Sequence, residues 1–578
     1  MADGRKFLIL QILVQILLLL HSAVAHLSGE NENKSSIRYG ITPTVGMPWP
    51  APKSMAISKT AFLLEAENFQ FRTTGQDCDI ILEEAYRRYY GDIFYIHNDD
   101  RSTLRFASRT RRPGSPLAMG LIEELDVNVL KVCEKFPSLG MDESYHLQVQ
   151  APKSLLNANT VWGALRGLET FAQTIYQTLD GEFMVNGSTI DDAPRFSHRG
   201  LLIDTSRHFV PKSVLYRNLE AMSQNKMNVF HWHIVDDQSF PYESKTFPDL
   251  NRKGAFEPHF HVYTQEDVAE VIEYARLRGI RVVPEFDTPG HTESWGPGQP
   301  GLLTKCYSGG KPSGSFGPID PSVNTSFAFM EKLLKEIFAV FPDKYVHLGG
   351  DEVSFTCWQS NPIISSFMKK MGFGTDYSKL EQYYMQHILN IIDGFKSDDQ
   401  YIIWQEVIDN GCKVSPKTVV EVWKGGYQAE LAKVTKMGLT TLLSSCWYLN
   451  YISYGSDWTK YYACDPQDFT GTDAQKALVI GGEACMWGEF VDGTNLVART
   501  WPRASAVAER LWSPKSYTST SAAAPRLEEQ RCRMLRRGLV VEPVNGPGWC
   551  LHEVHGRRDV NEERKFRPIF PEFKRENL

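Results

Sequence analysis

The chain is 578 residues long, more than one ordinary domain accommodates, and its 42% apolar and 23% charged residues supply a large globular core. Sixty-two Lys and Arg against 69 Asp and Glu leave a formal charge of −7, and the single basic run, Arg109 to Arg112, is short. Nucleic acid is therefore excluded as a partner.

Residues 1–25 read as a signal peptide. Arg5-Lys6 supply positive charge, Phe7 to Leu20 is apolar apart from Gln11 and Gln15, and Ala23-Val24-Ala25 is a small-residue cleavage site. No later run is apolar and long enough for stable membrane insertion. Three N-glycosylation acceptors follow, at Asn33, Asn186 and Asn324. Ten Cys without a CxxC fit an oxidising compartment better than a zinc ribbon. The pairs Cys78–Cys133, Cys306–Cys357 and Cys532–Cys550 each close a local loop. Cys412, Cys446, Cys464 and Cys485 are left over; Cys446 and Cys485 lie in strand-like runs, where buried free thiols are the ordinary outcome.

Residues 26 to about 60, rich in Pro, Ser and Gly, read as a lead-in. The stretch that follows mixes apolar runs with a helical piece near Asp79 to Tyr90 and an amphipathic helix over Trp162 to Ile175. Residues 26–195 are thus expected to form a small α/β domain. Beyond Arg199-Gly200 the pattern turns regular. Eight strand-like runs appear: Leu201–Thr205, Val229–Val235, Ile280–Phe286, Tyr345–Leu348, Tyr401–Gln405, Val419–Trp423, Thr441–Ser445 and Val479–Glu483. Helical text such as Ser213–Asn225, Gln265–Arg278, Phe327–Phe341 and Leu380–Phe395 lies between them, although it is short around strands five to seven. This is the alternation of a (β/α)8 barrel over residues 196–578, with a helical extension at its C-terminal end.

A barrel places function at the C-terminal ends of its strands. Polar and aromatic residues recur there: Asp204 to His208, Asp236-Asp237, Asp287 to His291, Asp351-Glu352, Trp404, Trp423, Trp447 to Asn450, and Trp487 to Glu489. Asp351 and Glu352 are the most telling. On a strand their side chains would point to opposite faces. Gly349-Gly350 permits the backbone turn that lets both serve one site, one as proton donor and the other as orienting anion. His231, His233 and His347 read as packing residues, no ligand set has metal spacing, and neither a metal nor a cofactor is expected.

Across the second half run RGLLIDTSRHF (199–209), NVFHWHIVDDQSFPYES (228–244), VVPEFDTPGHTESWG (282–296), HLGGDEV (347–353), WQEV (404–407), WYLNYISYGSDW (447–458), GGEACMWGE (481–489) and WPRASAVAERLW (501–512), with WGALRGLETFAQ (162–173) before them. This ordered set resembles the β-N-acetylhexosaminidases of glycoside hydrolase family 20, most closely the animal lysosomal β-hexosaminidase subunits. The resemblance implies a smaller, zincin-like α/β domain ahead of a TIM barrel. It also implies exo-acting, retaining removal of terminal β-linked GlcNAc or GalNAc from glycans, glycolipids or chitooligosaccharides. In that chemistry the substrate's 2-acetamido oxygen is the nucleophile and an oxazolinium forms.

By position, the resemblance makes Glu352 the general acid and base, Asp351 the partner of the acetamido N–H, and Tyr448 the donor to the acetamido oxygen. Trp404, Trp423 and Trp487 become pocket walls, Arg207 and Glu489 the ligands of sugar hydroxyls, and Asp236 with His291 the support of the acid. Tyr454 matches a tyrosine that reaches the partner's site in family dimers, so a homodimer is expected, in lysosomes or secreted. Asn450 is followed here by Tyr451, where α-type subunits carry Asn-Arg and β-type subunits place Asp at the first position. Neither an attracting Arg nor a repelling Asp is present, which implies neutral main substrates and tolerance of anionic ones. The rivals are a secreted chitooligosaccharide-degrading enzyme, a glycosidase with its own carboxylate nucleophile, and a non-catalytic glycan receptor.

Overall fold

A computed structural model describes residues 40–94, 118–178, 181–395, 400–451 and 453–550. The expected signal peptide, Asn33, the basic run at Arg109 and residues 551–578 lie outside the described residues.

The first half forms an eight-stranded mixed sheet. Its path runs Gln70–Thr73, Glu124–Val129, Lys153–Ala158, Tyr145–Val149, Phe183–Asp192, Ser54–Leu64, Ala118–Ile122, and Tyr176–Gln177 pairs with Phe183–Asp192 off that path. The expected lead-in to about residue 60 is corrected here, because strand Ser54–Leu64 starts within it. Its exposed first half is recruited by antiparallel pairing with Phe183–Asp192, a backbone force that composition does not display. Helix Val161–Thr174 is capped by Thr160, whose hydroxyl accepts from the Gly163 N–H. Its spacing predicts one apolar face, yet every residue is buried. The helix lies between the sheet and the barrel, and its polar face is bonded rather than wet: Arg166 donates to the carbonyls of Arg278 (3.1 Å) and Gly279 (2.8 Å) and pairs with Glu143.

The second half closes a parallel barrel. Its strands are β1 (His198–Asp204), β2 (Val229–Val235), β3 (Arg281–Phe286), β4 (Tyr345–His347), β5 (Gln400–Trp404), β6 (Val419–Val422), β7 (Thr440–Leu443) and β8 (Val479–Met486). Each of the eight expected runs becomes one of them. Helices Lys212–Gln224, Gln265–Arg276, Asn324–Val340, Ser378–Asp393 and Tyr427–Lys436 follow β1, β2, β3, β4 and β6 in turn. Between β5 and β6 only Glu406–Asp409 is helical, in agreement with the weak helical text there. Helix Thr520–Arg536 supplies the C-terminal extension, tied back by the Arg526–Glu509 pair (2.7 Å).

Strand alternation sorts the barrel interior into layers. The floor is Val229, Val283, Ile402, Val419 and Leu442. Two residues further along the strands stand His231, Glu285, Glu421 and Glu483, joined by His347, all buried. Gly200 leaves room for them, since a Cβ there would lie 2.6 Å from the Glu483 carboxyl. Above them Leu202, Trp404, Tyr448, Cys485 and Trp487 cluster beneath the mouth, with Trp423 against them.

Disulfides join Cys78–Cys133, Cys306–Cys357 and Cys532–Cys550. A fourth joins Cys446 to Cys464, correcting the reading of both as left over. Cys446 lies just past the end of β7 in the loop that turns back to helix Trp458–Ala463, so a strand-like sequence did not place it in the core. Cys412 and Cys485 are free and buried. Asn324 is exposed at the start of its helix, whereas Asn186 is half-buried in a paired strand and its side-chain oxygen accepts from the Tyr176 hydroxyl (3.2 Å). Among the described residues no helix is long and apolar enough to cross a membrane.

Candidate active site

The barrel mouth is built around the turn that ends β4. Gly349 (φ 67°) and Gly350 (φ 95°) take left-handed conformations, and so does Glu352 (φ 50°). At Gly349 the glycine is obligatory on two counts, because a Cβ would also fall 1.7 Å from Asp287 Oδ1. The turn delivers the two carboxylates to different environments. Asp351 is buried, and its Oδ1 meets no protein donor. The Glu352 side chain is 59% exposed.

Asp287, one residue past β3, faces Asp351. Its Oδ1 accepts the Gly350 N–H (2.7 Å), and atoms of Asp287, His291 and Asp351 lie within 4.8 Å of one another. Burial, then the Asp351 charge, pushes Asp287 well above the usual carboxylate range. His291 (φ 55°) stands between the acids: Nδ1 is 3.2 Å from Asp236 Oδ1, and Nε2 is 3.9 Å from both Asp287 Oδ2 and Glu352 Oε2. Burial alone would lower its affinity for protons, but Asp287, Asp236 and Asp351 outweigh that and raise it well above the ordinary imidazole value.

Behind His291 the polar chain continues inward. Asp236 bonds His233 Nε2 (2.7 Å), and His233 Nδ1 bonds Glu285 Oε2 (2.6 Å). Glu285 also pairs with His231 (3.0 Å) and accepts the Trp404 indole N–H (2.8 Å). Burial opposes charge on His233, yet Glu285 and Asp236 raise it to about 9. The same histidine and Arg207 hold Asp236 far below the carboxylate range despite its burial. The three histidines read as packing residues thus pack against carboxylates, which raise their proton affinity.

Arg207 closes the opposite side. Its guanidinium bonds Asp236 (2.8 Å) and Asp204 (3.1 Å) and lies 5.1 Å from the Trp487 ring. Glu489 is exposed nearby and adds to the field on Arg207. The aromatic wall is contiguous: Trp404 lies 6.5 Å from Trp423 and 6.1 Å from Trp487, and Tyr448 stacks on Trp423 at 6.0 Å. Tyr448 is fixed because Leu449 N–H and Trp447 C=O bond the backbone of Cys485 in β8. Asn450 has a buried Oδ1 with no protein donor, while its carbonyl accepts from Arg499 (3.0 Å). Tyr451 stacks 5.9 Å from Tyr448 and is largely exposed, and Tyr454 is fully exposed, apart from the others.

The structure thus brings together Asp351, Glu352, Tyr448, Arg207, Trp404, Trp423, Trp487, Asp236 and His291. It also adds residues to which the sequence reading gave no role: Asp287, Glu285, Glu406 and Lys424. Asp287, Glu406 and Lys424 each lie just past a barrel strand, the available signal; Glu285, within a strand, carried none. Metal-type clusters exist in space although no spacing foretold them, namely His231–His347–Glu421, Asp236–Asp237–His291 and Asp287–His291–Asp351. Each draws its ligands from more than one strand or strand end. Neighbouring carboxylates raise the proton affinity of His231, His291 and His347.

The family described as "Glycosyl hydrolase family 20, catalytic domain" matches residues 196–515, and "beta-acetyl hexosaminidase like" matches residues 48–174. Beta-hexosaminidase subunit beta of Mus musculus is 52% identical over 511 residues, spanning 87% of this chain and 93% of that protein. Beta-hexosaminidase subunit alpha of Bos taurus is 51% identical over 514 residues, spanning 87% and 94%. Among solved structures, the Flavobacterium johnsoniae chitobiase superposes with a TM-score of 0.72 at 33% identity, covering 85% of this chain and 73% of that one.

Proposed function

This chain belongs to glycosyl hydrolase family 20, and from that premise we propose how its site cleaves a glycosidic bond. The protein is a β-hexosaminidase that removes terminal GlcNAc or GalNAc. One observation carries the mechanistic reading. Asp351 is buried with an unpartnered oxygen beside the aromatic wall, while Glu352, one residue on, faces solvent. A buried acceptor suits a substrate N–H, and an accessible carboxyl suits proton exchange with a leaving group and then with water.

The sugar lies against Trp404, Trp423 and Trp487, with Arg207 and Glu489 on its hydroxyls. Tyr448 donates to the acetamido oxygen and Asp351 accepts the acetamido N–H. That oxygen attacks the anomeric carbon as Glu352 gives its proton to the departing oxygen. Asp351 stabilises the cationic oxazolinium. Glu352 then takes a proton from water, which opens the ring and restores the starting anomer. Asp236 and His291 support Glu352 through the 3.2 Å and 3.9 Å contacts.

Tyr454, exposed and apart from its own pocket, supports a homodimer in which it enters the partner's site. The amino-terminal segment and four disulfides support routing to lysosomes or out of the cell. With Tyr451 where α-type subunits carry Arg, neutral glycosides are the main substrates. The test is hydrolysis of nitrophenyl β-N-acetylglucosaminide, its 6-sulfated form and plain β-glucoside. Turnover in that descending order is expected. Comparable β-glucoside turnover refutes substrate assistance, a preference for the sulfated form refutes the assigned selectivity, and binding without turnover identifies a receptor.

A further inference from the structure

Glu352 has an unusual hold on the protein. Among the described residues its one hydrogen bond is made by its own backbone N–H, which donates to Glu406 Oε1 (3.3 Å). Its side chain touches the relay only at 3.9 Å from His291. Its backbone is left-handed, a conformation that a glutamate keeps only where the surroundings impose it.

Glu406 opens the helix Glu406–Asp409 directly after β5, and its carboxylate is nearly buried. Three donors from two other strand ends converge on it. Besides the Glu352 N–H, Oε2 accepts the Trp423 indole N–H (2.8 Å) and Oε1 pairs with Lys424 Nζ (2.6 Å). The neighbouring Gln405 reinforces the junction, since its side-chain carbonyl accepts the backbone N–H groups of Trp423 (3.1 Å) and Lys424 (3.0 Å). One carboxylate therefore ties the end of β4 to the end of β6. We propose that Glu406 is a positioning residue that locks the left-handed backbone of Glu352 and the indole of Trp423 in register, so that the acid meets the glycosidic oxygen of a sugar seated on that wall. This rests on the reading of Glu352 as general acid.

Glu406 touches no reacting atom, so its loss acts through the acid. With Glu406→Leu, which fills similar space without an acceptor, the Glu352 N–H loses its anchor and the peptide is free to turn. Proton delivery suffers most where the leaving group needs a proton. The expected result is a kcat lower by about ten- to a hundredfold on a chitobiose-type disaccharide. On a dinitrophenyl N-acetylglucosaminide, which leaves unaided, the drop is less than about threefold. Glu406→Gln keeps one acceptor oxygen and is expected to recover part of the disaccharide rate. If the Leu variant does not fold, Gln alone carries the test through the same ratio of rates. Equal losses on both substrates, or wild-type rates in both variants, overturn the proposal. Glu352→Gln, run alongside, separates the premises. If it lacks leaving-group dependence, the assignment of the acid falls; if it shows it and the Glu406 variants do not, only the positioning role falls.

Discussion

Two layers of the same barrel carry buried titratable groups, and they are organised in opposite ways. In the lower one, imidazoles and carboxylates alternate: His198 to Glu483 (2.5 Å), Glu483 to His231 (2.7 Å), His231 to Glu285 (3.0 Å), and His347 to Glu421 (3.5 Å). At the mouth, acid is set against acid. Asp287 faces Asp351, Asp351 also bears on Glu406, and His291 is the shared cation. Alternation places His231 between Glu285 and Glu483, so opposite charges meet in the barrel core, while burial and the Glu483 charge push Glu421 up. Crowded like charges leave affinity for whatever brings a donor or a positive charge, as an oxazolinium does. The lower layer is sealed in the barrel core, its unpartnered Glu421 oxygens included, whereas at the mouth the open acceptor, Asp351 Oδ1, lies one residue from the solvent-facing Glu352.

The largest effects should come from breaking the upper layer. Glu352→Gln is expected to reduce kcat by about 10³-fold on glycosides with poor leaving groups, and far less on activated aryl glycosides. Asp351→Asn is expected to cost about 10²- to 10³-fold on every acetamido substrate whatever the leaving group, because the amide no longer meets cationic charge with an anion. Steady-state rates on the two leaving-group classes check both. Leaving-group dependence in the Asp351 variant rather than the Glu352 variant would exchange the two roles.

Breaking the lower layer should affect stability before chemistry. Glu483 accepts from both His198 and His231 in the barrel core. Glu483→Gln removes one of the two carboxylates that flank the buried His231, leaving Glu285 as its only counter-charge, at a cost of about 3 kcal/mol. Urea unfolding is expected to show that loss while kcat of the folded fraction stays near wild type. The converse, a stable protein with damaged kcat, would mean that the lower layer belongs to the catalytic relay.

The same contrast explains what the sequence revealed. The eight strands were legible because fully buried parallel strands read as apolar or β-branched runs, and Val229–Val235 and Gln265–Arg276 need almost no adjustment. Asp351-Glu352 was legible because two glycines mark the turn that presents it. Residues that act through space were not. Asp287 and Asp351 are 64 positions apart by number, Glu406 meets Glu352 across 54, and neither contact leaves a local pattern. Cys446–Cys464 failed for a different reason: Cys446 lies past the end of β7, in the loop that carries Tyr448, where it meets the buried Cys464 instead of staying a free core thiol.

The smallest effect concerns how the whole molecule responds to pH, and its sign follows from buried groups outside the catalytic pair. Burial raises Glu381 to about 7, against the hydrogen bonds from Asn410. Asp92 is raised by burial to about 6, although Arg537 opposes this. Each holds its proton more tightly when folded than when unfolded, so folding is favoured at low pH and the advantage drains away from about 4 to about 7. His233, raised to about 9 by Glu285 and Asp236 in spite of burial, has the same sign over a later window: its contribution is whole below about 6.5 and is lost as pH climbs through 9. Asp236, held low, acts only at the acid extreme, where its contribution disappears as pH falls below the ordinary carboxylate range. The thermal midpoint should therefore be highest near pH 5 and fall by several degrees towards pH 9. Differential scanning fluorimetry across that range checks it, and Glu381→Gln should flatten the part below pH 7 while leaving the upper part intact. A midpoint that rises from pH 5 to pH 8 would mean that these buried carboxyls give up their protons on folding, the reverse of what their surroundings impose.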